Sequence, residues 1–550
     1  MTACKQIVKK YGHWLFFTLT ALLTVYLDVY VSRFIIDGDA SEVLHRAWCI
    51  AQQKSLFIPD YHFTTELCLF DISAIFALLF RLTDNWTLVR ILGTIIAQVL
   101  YVTGFLYLCR QIGVRKSRAV VAAGFLLLPF STVYARIVLY HAYYLLFMAY
   151  TFWMMGLTVR LVQNEQPRRQ AVPAIALGLL WLMVGLNGIR HMMILGMPLL
   201  AFTFVALLQT LQNYRTQDGR LMGPEPFRNT KEVRLTAVLA ASLLCFVVGY
   251  LLYKLWLQPA FQVYDASATF FRPNWGPEHY TELLNGWLVA IGVRNTSAPL
   301  VGIRGVSLAA ALIGFGTLLV LSLKSFFGRE ESFEEKFAGS MFAALFLVNT
   351  LIFIFESGEA GGRLYQLYYI PVAVMAFLVL AVELNRYSEN STSAARKLVT
   401  LLVCGCLLFQ GAYSAWFIRA DKHHLDQWDG LAYTRMDTID QFQDCIDFMQ
   451  TQGYTHALID HWYANAMMEA TDGSLKVCPL QVDFDAAGIV TLGRWGTSEE
   501  AFLPDNAPPT TIIFVKKERS AAFAETFPDA PRLHEGWVFD GYAFPTDQIH

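Results

Sequence analysis

The chain has 550 residues, of which 55% are apolar and only 16% are charged, and its mean hydropathy is +0.41. Soluble proteins carry charges on about a quarter of their residues, so the composition excludes a soluble protein and indicates one that crosses a membrane repeatedly. The formal net charge of −2 gives no electrostatic support for binding nucleic acid.

Apolar runs that reach or approach the ~20 residues needed to span a bilayer recur along the chain. Eleven are predicted as transmembrane helices: 14–35, 88–109, 118–135, 142–160, 171–187, 192–211, 235–257, 302–323, 337–355, 364–383 and 398–418. The stretch 67–82 is shorter and contains Asp71, so we expect it to be re-entrant or interfacial. The sequence therefore predicts an α-helical polytopic membrane protein.

The distribution of Lys and Arg predicts the orientation of these helices. With the N-terminus in the cytoplasm, the inner segments carry 21 basic residues and the outer segments before residue 419 carry 8. This asymmetry agrees with the positive-inside rule. We therefore expect a protein of the cytoplasmic (plasma) membrane whose outer face holds residues 37–87, 258–301, 356–363 and everything after about 419.

Composition changes after the last apolar run. A helical pattern at 433–454 is followed by strand-like HALID (456–460), a helix at 464–470 and the strand KVCPLQ. The strand TTIIFVKK, a helix at 520–527 and the strand WVFDGYAF complete the chain. Alternating elements of this kind are typical of a small α/β domain. The predicted domains are thus 1–418, which spans the membrane, and 419–550, which lies outside it.

Acidic residues cluster directly after the first transmembrane run, at Asp37, Asp39 and Glu42. A carboxylate at the end of a membrane helix can act as a general base or hold a metal ion. The alternative is a solvated turn in which Asp-Gly supplies the turn chemistry. A divalent metal stays open here, although the sequence has no metal-ligand spacing and predicts no cofactor.

A helix is predicted over 39–53, with Glu42 and Arg46 on one face. Leu44, Trp48 and Ile50 or Ala51 then form an apolar stripe, from which we expect the helix to lie on the membrane surface. Asp28 is different, because an acid inside an apolar run is costly unless it faces a cavity or a partner.

Cations stand at the predicted outer ends of several helices. Arg190 and His191 follow LNG, Arg363 follows ESGEAGG, and Arg136 and His141 lie in VYARIVLYHAYY. Arginine pairs well with phosphate oxygens, but it also extends to lipid head groups from helix ends. We expect the head-group role for Arg136 and phosphate binding for Arg363, where two glycines allow close approach of a ligand.

Further candidates for contacting a sugar or an acceptor lie in outer loops. Glu356 and Glu359 precede Arg363, and the aromatic loop 270–287 contains Trp275 and His279. Such loops serve equally as sugar platforms or as interfacial aromatic belts. Nine cysteines are present, and the pairs Cys49–Cys68 and Cys445–Cys478 could form disulfides if their side of the membrane is oxidising.

Three motifs make the chain resemble the GT-C superfamily of glycosyltransferases, in particular its protein O-mannosyltransferase-like and ArnT-like bacterial branch. These are DGDASEV after the first helix, NWTLVRILGTI (85–95), and GGRLYQLYYIP (361–371). The sequence departs from this pattern where relatives have Asp-Glu in the first loop, a second acid near His141 and a Lys-Pro-Pro segment, for which FIPDYHFTTEL stands here.

The resemblance implies an inverting transferase that moves a sugar from a polyprenyl-phosphate donor to a glycan, lipid or protein acceptor at the outer face. Asp39, or Asp37 as second choice, would be the catalytic base. The donor phosphate would be bound by Arg363, Arg190, His191 and His141. Sugar and acceptor contacts would come from Glu42, Glu356, Glu359, Tyr365, Trp275 and His279. The alternative is a transporter or a lipid-binding or assembly protein without transferase activity.

Overall fold

The structure is a computed structural model. It describes residues 2–36, 38–63, 67, 69–140, 144–164, 166–213, 230–263, 277–293, 301–328, 332–355, 363–389, 392–420, 439–483, 489–493, 496–498 and 507–549.

Helices dominate the first 420 residues. In chain order they are α1 (Thr2–Phe34), α2 (Gly38–Gln53), α3 (Ser73–Phe80), α4 (Trp86–Gln111), α5 (Lys116–Leu126), α6 (Leu145–Gln163), α7 (Pro167–Leu186), α8 (Met197–Asn213), α9 (Lys231–Leu252), α10 (Pro277–Ala290), α11 (Ile303–Phe327), α12 (Phe333–Phe355), α13 (Arg363–Tyr387) and α14 (Ala394–Ala420). Wider π-helical turns occur at Ala135–Tyr140, Met192–Gly196 and Tyr253–Leu257.

Within the described part of the chain, nine helices are long and apolar enough to cross a membrane: α1, α4, α6, α8 with the π-helical turn before it, α9, α11, α12, α13 and α14. Each coincides with one of the predicted runs. The helical membrane fold is therefore confirmed. It follows from long apolar segments, because backbone polar groups in lipid must be satisfied within the segment.

Two of the eleven predicted spans are not among these nine helices. The run 118–135 contains α5, which has only 11 residues, and then breaks before the π-helical turn at 135–140. The run 171–187 lies in α7, whose apolar part, Gln170–Leu186, agrees with the predicted bounds but is shorter than the nine spanning helices. The stretch 67–82 forms α3, and its eight residues extend only about 12 Å, so this helix does not span a bilayer.

The C-terminal segment forms a six-stranded sheet with three helices. In chain order its elements are α15 (Gln443–Gln452), β3 (His456–Ile459), α16 (His461–Ala470), β4 (Lys476–Asp483), β5 (Ile489–Leu492), β7 (Thr510–Lys516), α17 (Lys517–Thr526), β8 (Arg532–Glu535) and β9 (Phe539–Pro545). The strands lie side by side in the order β5-β4-β3-β7-β9-β8. Strand β3 is parallel to β4 and β7, whereas the outer pairs are antiparallel. The predicted α/β character is confirmed, and β5 and β8 are additions to the prediction.

Helix α2 is enclosed by protein. Eleven of its sixteen residues are buried, and it packs against both α3 and α16. Gly38 lies so close to the carbonyl of Trp462 that a side chain there would collide with it. The apolar stripe that includes Leu44 and Ile50 belongs to the protein core. The expectation that this helix lies on a bilayer surface is therefore wrong.

A three-stranded sheet joins three distant parts of the chain. Strand β1 (Tyr61–Phe63) pairs in parallel with β2 (Gln262–Val263) and antiparallel with β6 (Thr497–Ser498). The backbone N–H of Gly496 donates a further hydrogen bond of 2.9 Å to the carbonyl of His62. The segment after α1, the segment after α9 and the C-terminal segment therefore form one assembly.

A buried ion pair connects the transmembrane helices to this assembly. Arg90 on α4 donates two hydrogen bonds to Glu469 on α16, and their side chains are 2% and 0% exposed. Ser41 on α2 donates a third bond of 2.6 Å to Glu469. Nearby, Asp472 accepts a bond of 2.7 Å from the backbone N–H of Trp86 at the start of α4. Three elements thus meet at one carboxylate.

Replacing Arg90 by Leu is expected to destabilise the protein by about 3–5 kcal/mol, because it leaves the Glu469 carboxylate buried without its counter-ion. The measurement is thermal unfolding of the detergent-solubilised protein, together with the rate of proteolysis of the C-terminal segment. The double variant Arg90→Leu/Glu469→Leu should recover part of the loss.

Glu535→Gln is the matched control, because Glu535 is 65% exposed and 3.5 Å from Arg532. Breaking such a surface pair should leave the melting temperature unchanged. Equal shifts for Arg90→Leu and Glu535→Gln would contradict the structural role of the buried pair.

Candidate active site

Asp39 lies in the first turn of α2, and its side chain is 45% exposed. Its Oδ2 is 3.9 Å from Nη2 of Arg136, which is 13% exposed and belongs to the π-helical turn Ala135–Tyr140. Such turns are frequent at functional sites. The arrangement places a half-exposed carboxylate beside a positive charge, which keeps the carboxylate ionised and would attract an anionic ligand.

The sequence around Arg136 predicts that this residue contacts lipid head groups. The structure places it next to the predicted base instead. Its pattern in the sequence, an arginine near the end of an apolar run, is the same for both roles. Only the packing of the π-helical turn against α1 and α4 distinguishes them, and that packing is tertiary.

Arg190 and His191 lie together at the start of the segment that leads to α8. Arg190 is buried and donates a 2.5 Å hydrogen bond to the hydroxyl of Tyr144, and its guanidinium lies 5.5 Å from the centre of that ring. The ring of His191 stacks on Phe147 at 5.1 Å. Protein packing therefore fixes both side chains, which makes them rigid groups.

The structure does not describe the side chains of most other predicted site residues. Five of them lie outside the described residues: Asp37, His141, Trp275, Glu356 and Glu359. For Arg363 and Tyr365 the structure describes only the backbone, which belongs to α13.

His279 and Glu42 are both buried. His279 on α10 donates a 2.8 Å hydrogen bond from Nε2 to the carbonyl of Phe353 on α12. Glu42 is 7% exposed and packs against Gly496, where any side chain on the glycine would collide with the glutamate. In this structure both residues therefore contact protein: His279 joins two helices, and Glu42 lies beneath the C-terminal segment.

Unpartnered polar atoms gather in the helix bundle on the membrane side of α2. Asp28 on α1 interacts electrostatically with Arg90 on α4 and with Tyr140 on the π-helical turn. Among the described residues, no hydrogen-bond partner is found for six buried groups: both oxygens of Asp28, Nη1 of Arg90 and the hydroxyls of Tyr140, Ser32 and Thr94. Ser32 and Thr94 lie one turn along the same helix faces. Buried groups of this kind normally bind ordered water.

An open cleft of about 550 Å³ borders α2 at its C-terminal end. Its lining includes Trp48, Gln52, Gln53, Asp60 and Ser498. Asp60 accepts hydrogen bonds from Gln53 (2.9 Å) and from the Ser498 hydroxyl (2.7 Å). These bonds outweigh the effect of partial burial and lower the pKa of Asp60. An aromatic face beside amides and a carboxylate suits a polar ligand such as a saccharide. None of these residues is predicted as a site residue from the sequence.

His45 lies where α2 meets α16. Burial is the main cause that lowers its pKa to about 4, and Lys476 adds a smaller effect in the same direction. A hydrogen bond of 2.9 Å to the side-chain oxygen of Asn465 opposes the shift. His45 is therefore neutral near pH 7, and its Nδ1–H donates to Asn465 across the interface.

The structure of this chain is similar to the crystal structure of ArnT from Cupriavidus metallidurans bound to undecaprenyl phosphate. The TM-score is 0.54 and the sequence identity is 12%, over 98% of this chain and 99% of that one. The chain has the GT-C fold. The resemblance seen in the sequence is thereby confirmed at the level of fold.

A second structure with the GT-C fold, the Archaeoglobus fulgidus oligosaccharyltransferase with a tethered acceptor peptide, matches with a TM-score of 0.48 and 14% identity. The match covers 86% of this chain but only 64% of that enzyme. No protein-family model matches the sequence of this chain, and no curated protein sequence matches it either.

The interface around His45 is expected to weaken in acid. Its pKa is about 4 in the folded protein and near 6.5 in an unfolded chain, so below pH 6.5 the unfolded state binds more protons. The contribution of His45 to the free energy of unfolding is therefore fully present above about pH 6.5 and is lost as the pH falls toward 4.

The measurement is the melting temperature of wild type and of His45→Gln, which cannot titrate, at intervals from pH 7.5 to pH 4.5. The wild type should lose more stability than the variant over this range. Parallel curves for the two proteins would show that His45 does not contribute to the acid sensitivity.

Proposed function

We propose that this protein is an integral membrane glycosyltransferase. It transfers a sugar from a polyprenyl-phosphate donor to an acceptor at the outer face, which is a cell-surface glycan, a lipid or a protein. The observation that supports this most directly is the pairing of accessible Asp39 with Arg136 on a GT-C framework. Undecaprenyl phosphate bound to the similarly folded ArnT supports the donor class.

In the proposed reaction, a hydroxyl oxygen of the acceptor attacks the anomeric carbon of the donor sugar. Asp39 accepts the hydroxyl proton as the new C–O bond forms, and the bond from the anomeric carbon to the phosphate oxygen breaks. The electron pair stays on the phosphate, and the sugar configuration inverts in this single displacement. A positioned base of this kind contributes about 10²- to 10⁴-fold to a rate. Asp37 is the second choice for this role.

Negative charge grows on the lipid phosphate as the sugar leaves, so fixed cations stabilise the transition state. Arg363 is the proposed main ligand, and Arg190, His191 and His141 are proposed as further ligands. Arg136 is added to this set because it holds Asp39 and is close enough to attract the same anion. For the sugar and the acceptor we propose Glu356, Glu359, Tyr365 and Trp275. Glu42 and His279 would act by positioning these parts of the chain, because both are buried.

We place the reaction at the outer face of the plasma membrane, with the N-terminus in the cytoplasm and the C-terminal α/β domain, from about residue 419, outside. Nucleotide sugars are absent there, whereas a lipid-linked donor reaches the site laterally through the bilayer. The excess of Lys and Arg in the opposite segments supports this orientation.

The buried polar cluster around Asp28 favours one rival, a transporter, because polar residues inside a bundle mark solute pathways. A transporter would lose flux through reconstituted vesicles when Asp28 is replaced by Leu, and it would show no sugar transfer. A transferase would show transfer without flux.

Asp39→Asn is expected to lower the turnover number for transfer of labelled sugar from polyprenyl phosphate by about 10²- to 10⁴-fold, because the amide cannot accept the proton. The assay uses purified protein in detergent with the native acceptor fraction. Asp37→Asn is the matched control and should retain most activity. Full activity of Asp39→Asn, with loss in Asp37→Asn, would transfer the role to Asp37.

Arg363→Ala is expected to slow transfer by about 10²- to 10³-fold through loss of charge stabilisation at the leaving phosphate. Arg363→Lys should recover part of the rate, since the charge returns without the planar fork. Arg419→Ala serves as a control at the end of α14, where the guanidinium lies over Tyr30. An unchanged rate in Arg363→Ala would remove this residue from the mechanism.

A further inference from the structure

A cluster of three chemically different ligand groups lies on the C-terminal unit, apart from the candidate active site. Asp444 and Cys445 are in the first turn of α15, and His534 is on β8. A carboxylate oxygen, the Cys445 thiol and a ring nitrogen of His534 all lie within 4.8 Å of one another. Two elements separated by nearly 90 residues of chain thus point these groups at one spot.

The separation between the histidine nitrogen and the carboxylate oxygen matches the spacing of neighbouring ligands around a tetrahedral metal ion. Zinc binds nitrogen and oxygen at about 2.0–2.2 Å and sulfur at about 2.3 Å, which puts neighbouring ligand atoms about 3.4 Å apart. Nε2 of His534 is 3.6 Å from Oδ2 of Asp444. A mixed set of nitrogen, sulfur and oxygen ligands suits zinc better than magnesium or calcium.

Second contacts orient the ligands. The backbone N–H of Trp537 donates a 2.8 Å bond to Oδ2 of Asp444, and the N–H of Cys445 donates a 3.0 Å bond to Oδ1. The ring of His534 stacks on Phe448 with centres 4.8 Å apart. Metal ligands are normally held by such outer contacts.

One of the three groups is unsatisfied without a metal. Nε2 of His534 is buried and has no hydrogen-bond partner among the described residues. The side chain of Cys445 is fully buried, and its thiol donates a hydrogen bond to the neighbouring Asp444 carboxylate, so the sulfur already lies beside a second ligand group. A bound cation would take up the histidine lone pair and would favour the thiolate.

We propose that Asp444, Cys445 and His534 bind a zinc ion, with water as the fourth ligand. The ion would cross-link the start of α15 to the terminal hairpin formed by β8 and β9. This site is structural and independent of the proposed transferase chemistry, so failure of either proposal leaves the other intact.

The test uses the full-length protein in detergent, stripped of metal with a chelator and then titrated with Co²⁺, which reports thiolate ligation by an intense near-ultraviolet charge-transfer band. One Co²⁺ per chain should bind with this band, and Zn²⁺ should displace it. Cys445→Ser should abolish the band. His534→Ala should weaken binding by more than about 100-fold, beyond the range for outer-contact partners.

Cys478→Ser is the matched control, because Cys478 is also a buried cysteine of the same unit outside any disulfide but does not belong to the cluster, and it should keep the band. Zn²⁺ should also raise the melting temperature of wild type and Cys478→Ser, but not that of Cys445→Ser. Absence of the band in wild type would overturn the proposal and leave a simple Asp444–His534 pair. So would a band that survives Cys445→Ser. The wild-type spectrum decides even if a variant fails to fold.

Discussion

The ion pair between Arg90 and Glu469 is the contact on which the arrangement of the candidate site depends. Removing two charges from water costs several kcal/mol for each, and only close geometry with further hydrogen bonds offsets that cost. Ser41 supplies one such bond to the carboxylate. Because Ser41 lies two residues after Asp39 on the same helix, the pair that joins α4 to the C-terminal unit also fixes the helix that carries the proposed base. The position of Asp39 is therefore set from inside the protein rather than by the membrane surface.

The length of the apolar runs and the alternation of helix and strand patterns made much of the fold predictable from the sequence. Nine apolar runs became membrane-length helices, and the alternating pattern after residue 439 became an α/β sheet. Two expectations about partners were wrong. The apolar stripe containing Leu44 looks the same whether lipid or protein covers it, so the sequence could not reveal that α16 covers α2. Cys445 and Cys478 do not form a disulfide in the structure, because they are buried in two different hydrophobic clusters.

The candidate site was only partly accessible to sequence reasoning. Asp39 could be selected because an acid at the end of a membrane helix is locally unusual. Arg136 could not be assigned to it, because the two residues are far apart in sequence and meet only through the π-helical turn. Asp60 and Gln53 are similar: their cleft is completed by Ser498 from the C-terminal segment. The roles proposed for Asp37, His141 and the side chain of Arg363 stay predictions.

The small sheet built on β1 has a consequence for the order in which the protein is made. Strand β1 is complete only when β2, about 200 residues later, and β6, more than 430 residues later, have joined it. The ribosome must therefore finish most of the chain before the segment after the first helix reaches its final form. Contacts this distant in sequence form slowly. A truncated or stalled chain would insert its helices yet leave α2 exposed, and quality-control proteases could recognise the apolar face of this amphipathic helix as the mark of an unfinished molecule.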